Sequence, residues 1–263
     1  MGLSQLHSLC PDAQRQLCSQ IIPPSLWEHL AQINPVWAHG PENPQALRII
    51  VPTNLPELHL RCPASRLDND FALCLDLEEI ATGEIELGFI IINNLLSPRF
   101  NIDTDPQGRS TLLGTAQRNI DEELRALHAG LAPCQVRQGL DLFHELLPRL
   151  EAFALSLGYV CLCLEPLTYH NAIMYENHGF SYITGLSLMQ TINHEFLPDG
   201  RLSRLLNPVQ PFRQPSFATS VRGRSWAIHD QILADIDMSP SLELRMTKVL
   251  GTSNPQHTFF PNP

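Results

Sequence analysis

Between residues 142 and 157 the apolar positions fall three and four apart, at Leu142, Phe143, Leu146, Leu147, Leu150, Phe153, Ala154 and Leu157. That spacing lays one apolar stripe along a long helix, which Gly158 ends, and Pro148 inside it predicts a kink. Two shorter helices are expected within residues 4–37, divided where Pro23 and Pro24 interrupt the helical spacing. Short runs rich in Ile, Leu, Val and Phe predict strands over 47–51, 71–77 and 84–93, the last two joined through Thr82 and Gly83 as a hairpin. A second hairpin is expected at 103–108, with arms over 99–102 and 110–115. Asn119 is placed to cap a helix running to about residue 129, with Asp121, Glu122 and Glu123 in the turn where the helix dipole favours negative charge. After the long helix, residues 159–165 alternate as a strand, Pro166 stops it, a short helix follows, and 180–189 resume strand character. A further short helix is expected near 225–235. Strands alternating with helices in this order predict an α/β (α+β) fold.

Composition sets bounds on this picture. The 263 residues are 43% hydrophobic and 17% charged, which is globular. One core domain over 47–195 is expected, with an N-terminal helical segment over 1–46 and a proline-rich C-terminal extension over 196–263. A formal net charge of −10 argues against the phosphate attraction that nucleic-acid binding needs. No run of about 18 apolar residues predicts a membrane span, and the N-terminal stretch lacks the basic and apolar regions of a signal peptide. Seven cysteines, an odd number and several inside apolar runs, suit a reducing, cytoplasmic setting. Cys161 and Cys163 alternate with Leu162 and Leu164 as one strand face. No metal is expected: there is no HExxH, and a calcium loop begun at Asp103 would meet Gly114 where an acidic twelfth ligand belongs. A serine hydrolase would want GxSxG, which is missing too.

Chemistry concentrates at residues 169–180, YHNAIMYENHGF, preceded by LSLGY and the strand VCLCLE. Ala172, Tyr175, Glu176, Gly179 and Phe180 stand in the order and register by which this chain resembles the GNAT acyltransferase superfamily over residues 71–189. The resemblance implies a mixed, mostly antiparallel central sheet flanked by helices. It also implies transfer of an acyl group from a thioester donor, acetyl-CoA, acyl-CoA or an acyl-carrier protein, to an amine of a small molecule or a protein. Acetyl-CoA or acyl-CoA would then be a co-substrate, with no metal, and a homodimer is among the assemblies it allows.

Residue roles follow from the same resemblance. Tyr175 would protonate the leaving thiolate, or else pack in the core with its hydroxyl satisfied. Glu122, Glu123, Glu165 and His170 are the bases available to the acceptor amine, Glu165 and His170 at the strand end, and Asn171 lies beside these two near the cofactor. The pyrophosphate loop maps onto Val136, Arg137, Gln138 and Gly139. There the chain departs from the family pattern: Val136 takes the position of an arginine and Asp141 that of a small residue, where a carboxylate would repel phosphate. Arg118 and Glu122 are candidates for the acceptor. The cluster Arg222, Arg224, Trp226, His229 and Asp230 could close over a substrate, meet a partner chain or pin the C-terminal extension. A GNAT-like protein that binds a ligand without turning it over is the alternative reading.

Overall fold

Alternation over residues 57–62 gives a strand that the apolar runs alone do not announce. Leu58, Leu60 and Cys62 point into the core with no exposed surface, while Glu57, His59 and Arg61 face the other way. There His59 Nδ1 and Arg61 Nη1 lie 2.8 and 2.6 Å from Asp76 Oδ1. This strand belongs to a computed structural model that describes residues 2–43, 45–63, 70–239, 242–252 and 257–259. Among the described residues there are seven strands, mostly antiparallel in their pairing, and eight α-helices, so the chain is α/β. No described helix is long and apolar enough to cross a membrane. The chain divides into two compact units.

The first unit comprises Met1–Pro98, Gln138–Leu164 and Thr247–Thr252. It opens with helices α1 (Pro11–Cys18) and α2 (Pro24–Ile33), each with proline at its first position, where no intrahelical amide bond is lost. Strands β1 (Arg48–Ile50), β2 (Glu57–Pro63), β3 (Phe71–Ala81) and β4 (Glu84–Ile92) pair antiparallel in sequence order. The expected hairpin at Thr82 and Gly83 joins β3 to β4. The β3–β4 register shifts so that Asp76 and Leu77 face Phe89 and Leu87, leaving Gly88 as a bulge in β4. Helix α4 (Phe143–Ser156) runs through Pro148 and buries Leu146, Leu147, Leu150, Phe153 and Ala154, as the stripe predicts. Strand β5 (Cys161–Leu164) then returns parallel to β4, pairing Glu84, Ile85 and Glu86 with Cys161, Leu162 and Cys163. On its other side β5 meets the last strand, β7 (Arg245–Val249), where Cys163 Sγ lies 3.6 Å from Thr247 Oγ1.

The second unit comprises Arg99–Arg137, Glu165–Met246 and Ser253–Pro263. Helix α3 (Ile120–His128) sets Ala126 against Phe100, Ile102, Leu131 and Val136 in a small apolar core. Helix α5 (Tyr169–Asn177) follows, then β6 (Ser181–Thr184), α6 (Leu186–Glu195), α7 (Arg201–Leu205) and α8 (Val221–His229). Trp226, Phe180, Phe196, Met189 and Ile192 have no exposed surface here.

Three local expectations are corrected in this unit. The arms of the 103–108 turn are not strands: one bridge, Thr104 with Ser110, is all that forms, because Leu112 and Leu113 take φ of 51° and 58° and turn the chain away from extension. Asn119 occupies the cap position of α3 without capping it; its Nδ2 donates instead to the carbonyls of Asn101 and Thr104 at 3.1 and 2.7 Å. The strand expected over 180–189 stops at Thr184. Gly185, at φ +94°, turns the chain into α6, and a Cβ there would come within 2.3 Å of Leu244 Cδ2.

Leu75 lies in the middle of β3 with no exposed surface and with neighbours on both β2 and β4. Leu75→Ala is therefore expected to lower unfolding free energy by about 2–5 kcal/mol with an unchanged urea m-value, read by equilibrium denaturation.

Candidate functional site

Within the second unit a cavity of about 870 Å³ opens between a loop, a strand-to-helix turn and the end of α8. Its walls are residues 114–118, Pro133, residues 165–169, Thr184, Ser225, Ile228, His229 and Gln231, and residues 242–245. The backbone around it is held in conformations that L-residues seldom take. Leu112, Leu113 and Gly114 form three consecutive left-handed residues, and Cys134 and Gln231 have φ of 67° and 62°. Such residues cost of order 1–3 kcal/mol each and persist where packing over-determines them. Gly114 shows why: a Cβ would sit 2.9 Å from Glu123 Oε1 and 3.4 Å from the His229 ring.

Glu123 anchors the polar side of the cavity. It is 1% exposed, and its Oε2 accepts from Nε and Nη2 of Arg118 at 2.8 and 2.5 Å, while Oε1 lies 3.2 Å from His229 Nε2. Burial alone would raise this carboxyl, but hydrogen bonds from His229 and Arg118, with their charges, outweigh it and hold the group below its ordinary value of 4.5. Arg118 also donates through Nη1 to Asp230 Oδ1 at 2.6 Å, and Asp230 Oδ2 accepts from Arg213 Nε at 2.6 Å. The Arg118 guanidinium lies 4.6 Å over the Phe212 ring, which stacks on Trp226 at 5.2 Å. Trp226 in turn donates its Nε1 hydrogen to the Leu131 carbonyl at 2.8 Å.

A second polar group lies behind Ser225. Nδ1 of His170 lies 3.0 Å from Ser225 Oγ and 2.9 Å from Thr168 Oγ1. Desolvation by burial, with the charge of His229 adding to it, lowers the imidazole to about 4, so the ring is neutral near pH 7. Ser225 and His229 stand four residues apart on α8 and both face the cavity.

The expected site residues distribute unevenly around this geometry. Glu165 is exposed in the cavity wall, and Arg118 lies in the wall with its guanidinium committed to Glu123 and Asp230. His170 lies one hydrogen bond behind the wall. Tyr175 is buried on α5, 5.4 Å from the Phe180 ring, with its hydroxyl pushed up by desolvation, and it does not line the cavity. Glu122 accepts from the Asn101 amide at 2.8 Å and pairs with Arg125 outside the wall. Val136 lies in the apolar core, its carbonyl accepting from Phe100, while half-buried Arg137 ends this part of the unit. Gln138 and Gly139 belong to the first unit: the Gln138 carbonyl accepts from Asn94, and Gly139 bridges to Asn93. Asn171 is half-buried on α5.

Ser225, Thr168 and Gln231 are additions from the structure. The spacing of Ser225 and His229 within VRGRSWAIHD was the available signal, and only the fold brings His170 to it. No protein-family model, curated protein or solved structure matches this chain.

Arg118→Ala would leave Glu123 buried with half its partners, and is expected to destabilise the protein by about 3–5 kcal/mol in chemical denaturation. The folded Glu123 carboxyl is depressed, so its stabilisation is complete above the ordinary value of 4.5 and is lost as pH falls through the lower folded value. Unfolding free energy should therefore decline below pH 4.5, and Glu123→Gln should show a shallower decline over that window.

Proposed function

We propose that the protein is a GNAT-type acyltransferase, moving an acyl group from a thioester donor, acetyl-CoA, acyl-CoA or an acyl-carrier protein, to an amine of a small molecule or a protein. The observation that carries this reading lies in the first unit. Parallel pairing of β4 with β5 covers only Glu84–Glu86, and among the described residues the same edge of β4 finds no further partner until Asn93 bridges to Gly139. Over residues 88–91 the β5-facing edge of β4 thus lacks a strand partner among the described residues, between two parallel strands that pair only at their start. An extended ligand bearing amides can complete that ladder as an added strand would, and the pantetheine arm shared by coenzyme A and acyl-carrier protein is such a ligand. Gln138 and Gly139 close the far end of this edge, at the positions where the resemblance expects the pyrophosphate.

The order α4, β5, α5, β6 supports the same reading, since it is the order the motif implies, with Gly179 at φ +87° and Phe180 fully buried. Tyr175, the acid named by the resemblance, is buried against Phe180 and lies outside the cavity wall. Binding without turnover is the second reading. It is favoured by Asp141, which in the resemblance takes the small-residue position of the pyrophosphate loop, where a carboxylate would repel phosphate.

Thermal unfolding with acetyl-CoA, longer acyl-CoAs and free CoA tests the donor. A ligand at 100 times its dissociation constant stabilises by about 2.7 kcal/mol, which raises the midpoint measurably. A shift with acyl-CoA and thiol release on adding amines supports transfer. A shift with no thiol release across amines supports binding alone, and no shift with any of the three removes coenzyme A.

A further inference from the structure

We propose that Ser225 itself accepts the acyl group, carrying it as an ester on Oγ before passing it on, with His170 as the base. This takes from the reading above only that the donor is a thioester, and adds a covalent step to that chemistry.

Three observations support Ser225 as the nucleophile, and the kind of alcohol separates it from Thr168. Its Oγ is 3.0 Å from His170 Nδ1, the distance at which a base can take the hydroxyl proton in the transition state. The imidazole is neutral near pH 7, so one ring nitrogen carries a lone pair, and the step uses the tautomer in which that nitrogen is Nδ1. The third is the position of α5. Thr168 at its cap position and Tyr169 at its first residue share the wall with Ser225, and the Thr168 side chain makes no capping hydrogen bond. The first-turn amides of a helix have no intrahelical acceptor, and together with the helix dipole they suit the oxyanion that forms when a carbonyl is attacked. Thr168 meets the same nitrogen at 2.9 Å, but it is a secondary alcohol fixed at the helix start.

The step balances as follows. Ser225 Oγ attacks the thioester carbonyl, the O–C bond forms, the C–S bond breaks, and the hydroxyl proton passes to His170 Nδ1 and on to the departing thiolate. An amine then attacks the ester; its proton reaches Nδ1 and is returned to Oγ as the C–O bond breaks. The sum is thioester plus amine giving amide plus thiol, with no oxidant or metal. Water in place of the amine gives slow hydrolysis.

An activated ester tests this without knowing donor or acceptor. The full chain is incubated with p-nitrophenyl acetate, nitrophenolate release is followed, and the acid-quenched protein is mapped by mass spectrometry. One acetyl group on Ser225 is expected, absent from Ser225→Ala, with release at least about 100-fold slower in His170→Gln. Acetylation of Thr168 or any other residue, no acetylation at all, or an unchanged rate in Ser225→Ala overturns the proposal. Should Ser225→Ala fail to fold, Ser225→Cys replaces it: a label carried on the introduced sulfur upholds the assignment, and a label elsewhere overturns it. The two readings fail separately. Acetylation of Ser225 by the ester with no thermal shift from any acyl-CoA would sink the coenzyme A donor and keep the nucleophile; the shift without acetylation does the reverse.

Discussion

A carboxylate with 1% of its surface exposed governs the cavity. Glu123 can be ionised there only because Arg118 and His229 meet its two oxygens, and each of those partners is placed by something else. Arg118 is tied to Asp230 and lies on Phe212; His229 stands at the end of α8, edge-on to Trp226 at 5.8 Å. Removing any one member leaves a buried charge without its compensation, so the loop carrying Arg118, the helix carrying Glu123 and the helix carrying His229 are bound into one arrangement. The left-handed run at Leu112, Leu113 and Gly114 is what lets the chain approach that carboxylate closely enough to enclose it.

Beside that charged group lies a neutral one. His170 is deprived of its proton by burial, in a place where Ser225 and Thr168 can both reach its Nδ1. Two histidines of one unit thus have different surroundings: His229 is held against a carboxylate, and His170 meets two hydroxyls. That contrast arises from partners alone, since the side chains are identical.

The motif YHNAIMYENHGF has a structural explanation of its own. Glu176 is 1% exposed and accepts from Tyr182 Oη at 2.5 Å and from the Thr258 amide at 2.8 Å, so the acidic residue of the motif fastens a segment near the C-terminus. Ala172 and Phe180 are fully buried, and the Tyr175 ring packs tilted against Phe180. Arg224 from VRGRSWAIHD is likewise interior, donating to Ala218 and Asn193 between the rings of Phe196 and Phe259. Burial on this scale accounts for the apolar and aromatic content of both stretches, while Ser225 and His229 of the second line the cavity and His170 of the first meets Ser225.

Local pattern was enough for the elements whose information is local. The stripe from Phe143 to Ala154, the turn at Thr82 and Gly83, and the helix after Asn119 were all legible, because side-chain period and backbone freedom are set within a few residues. The alternation of β2 was also written in the chain, though Glu57, His59 and Arg61 masked it by making the run look polar. What pattern could not supply was any decision made by distant partners. Gly185 ends β6 because Leu244 occupies the space beside it, and Asn119 leaves its cap because two carbonyls from the 101–104 turn compete for its amide. The site belongs wholly to this second kind. His170 and Ser225 are 55 positions apart, and Glu123 and His229 are 106 apart, so their protonation and their use were decided only when the chain closed around them.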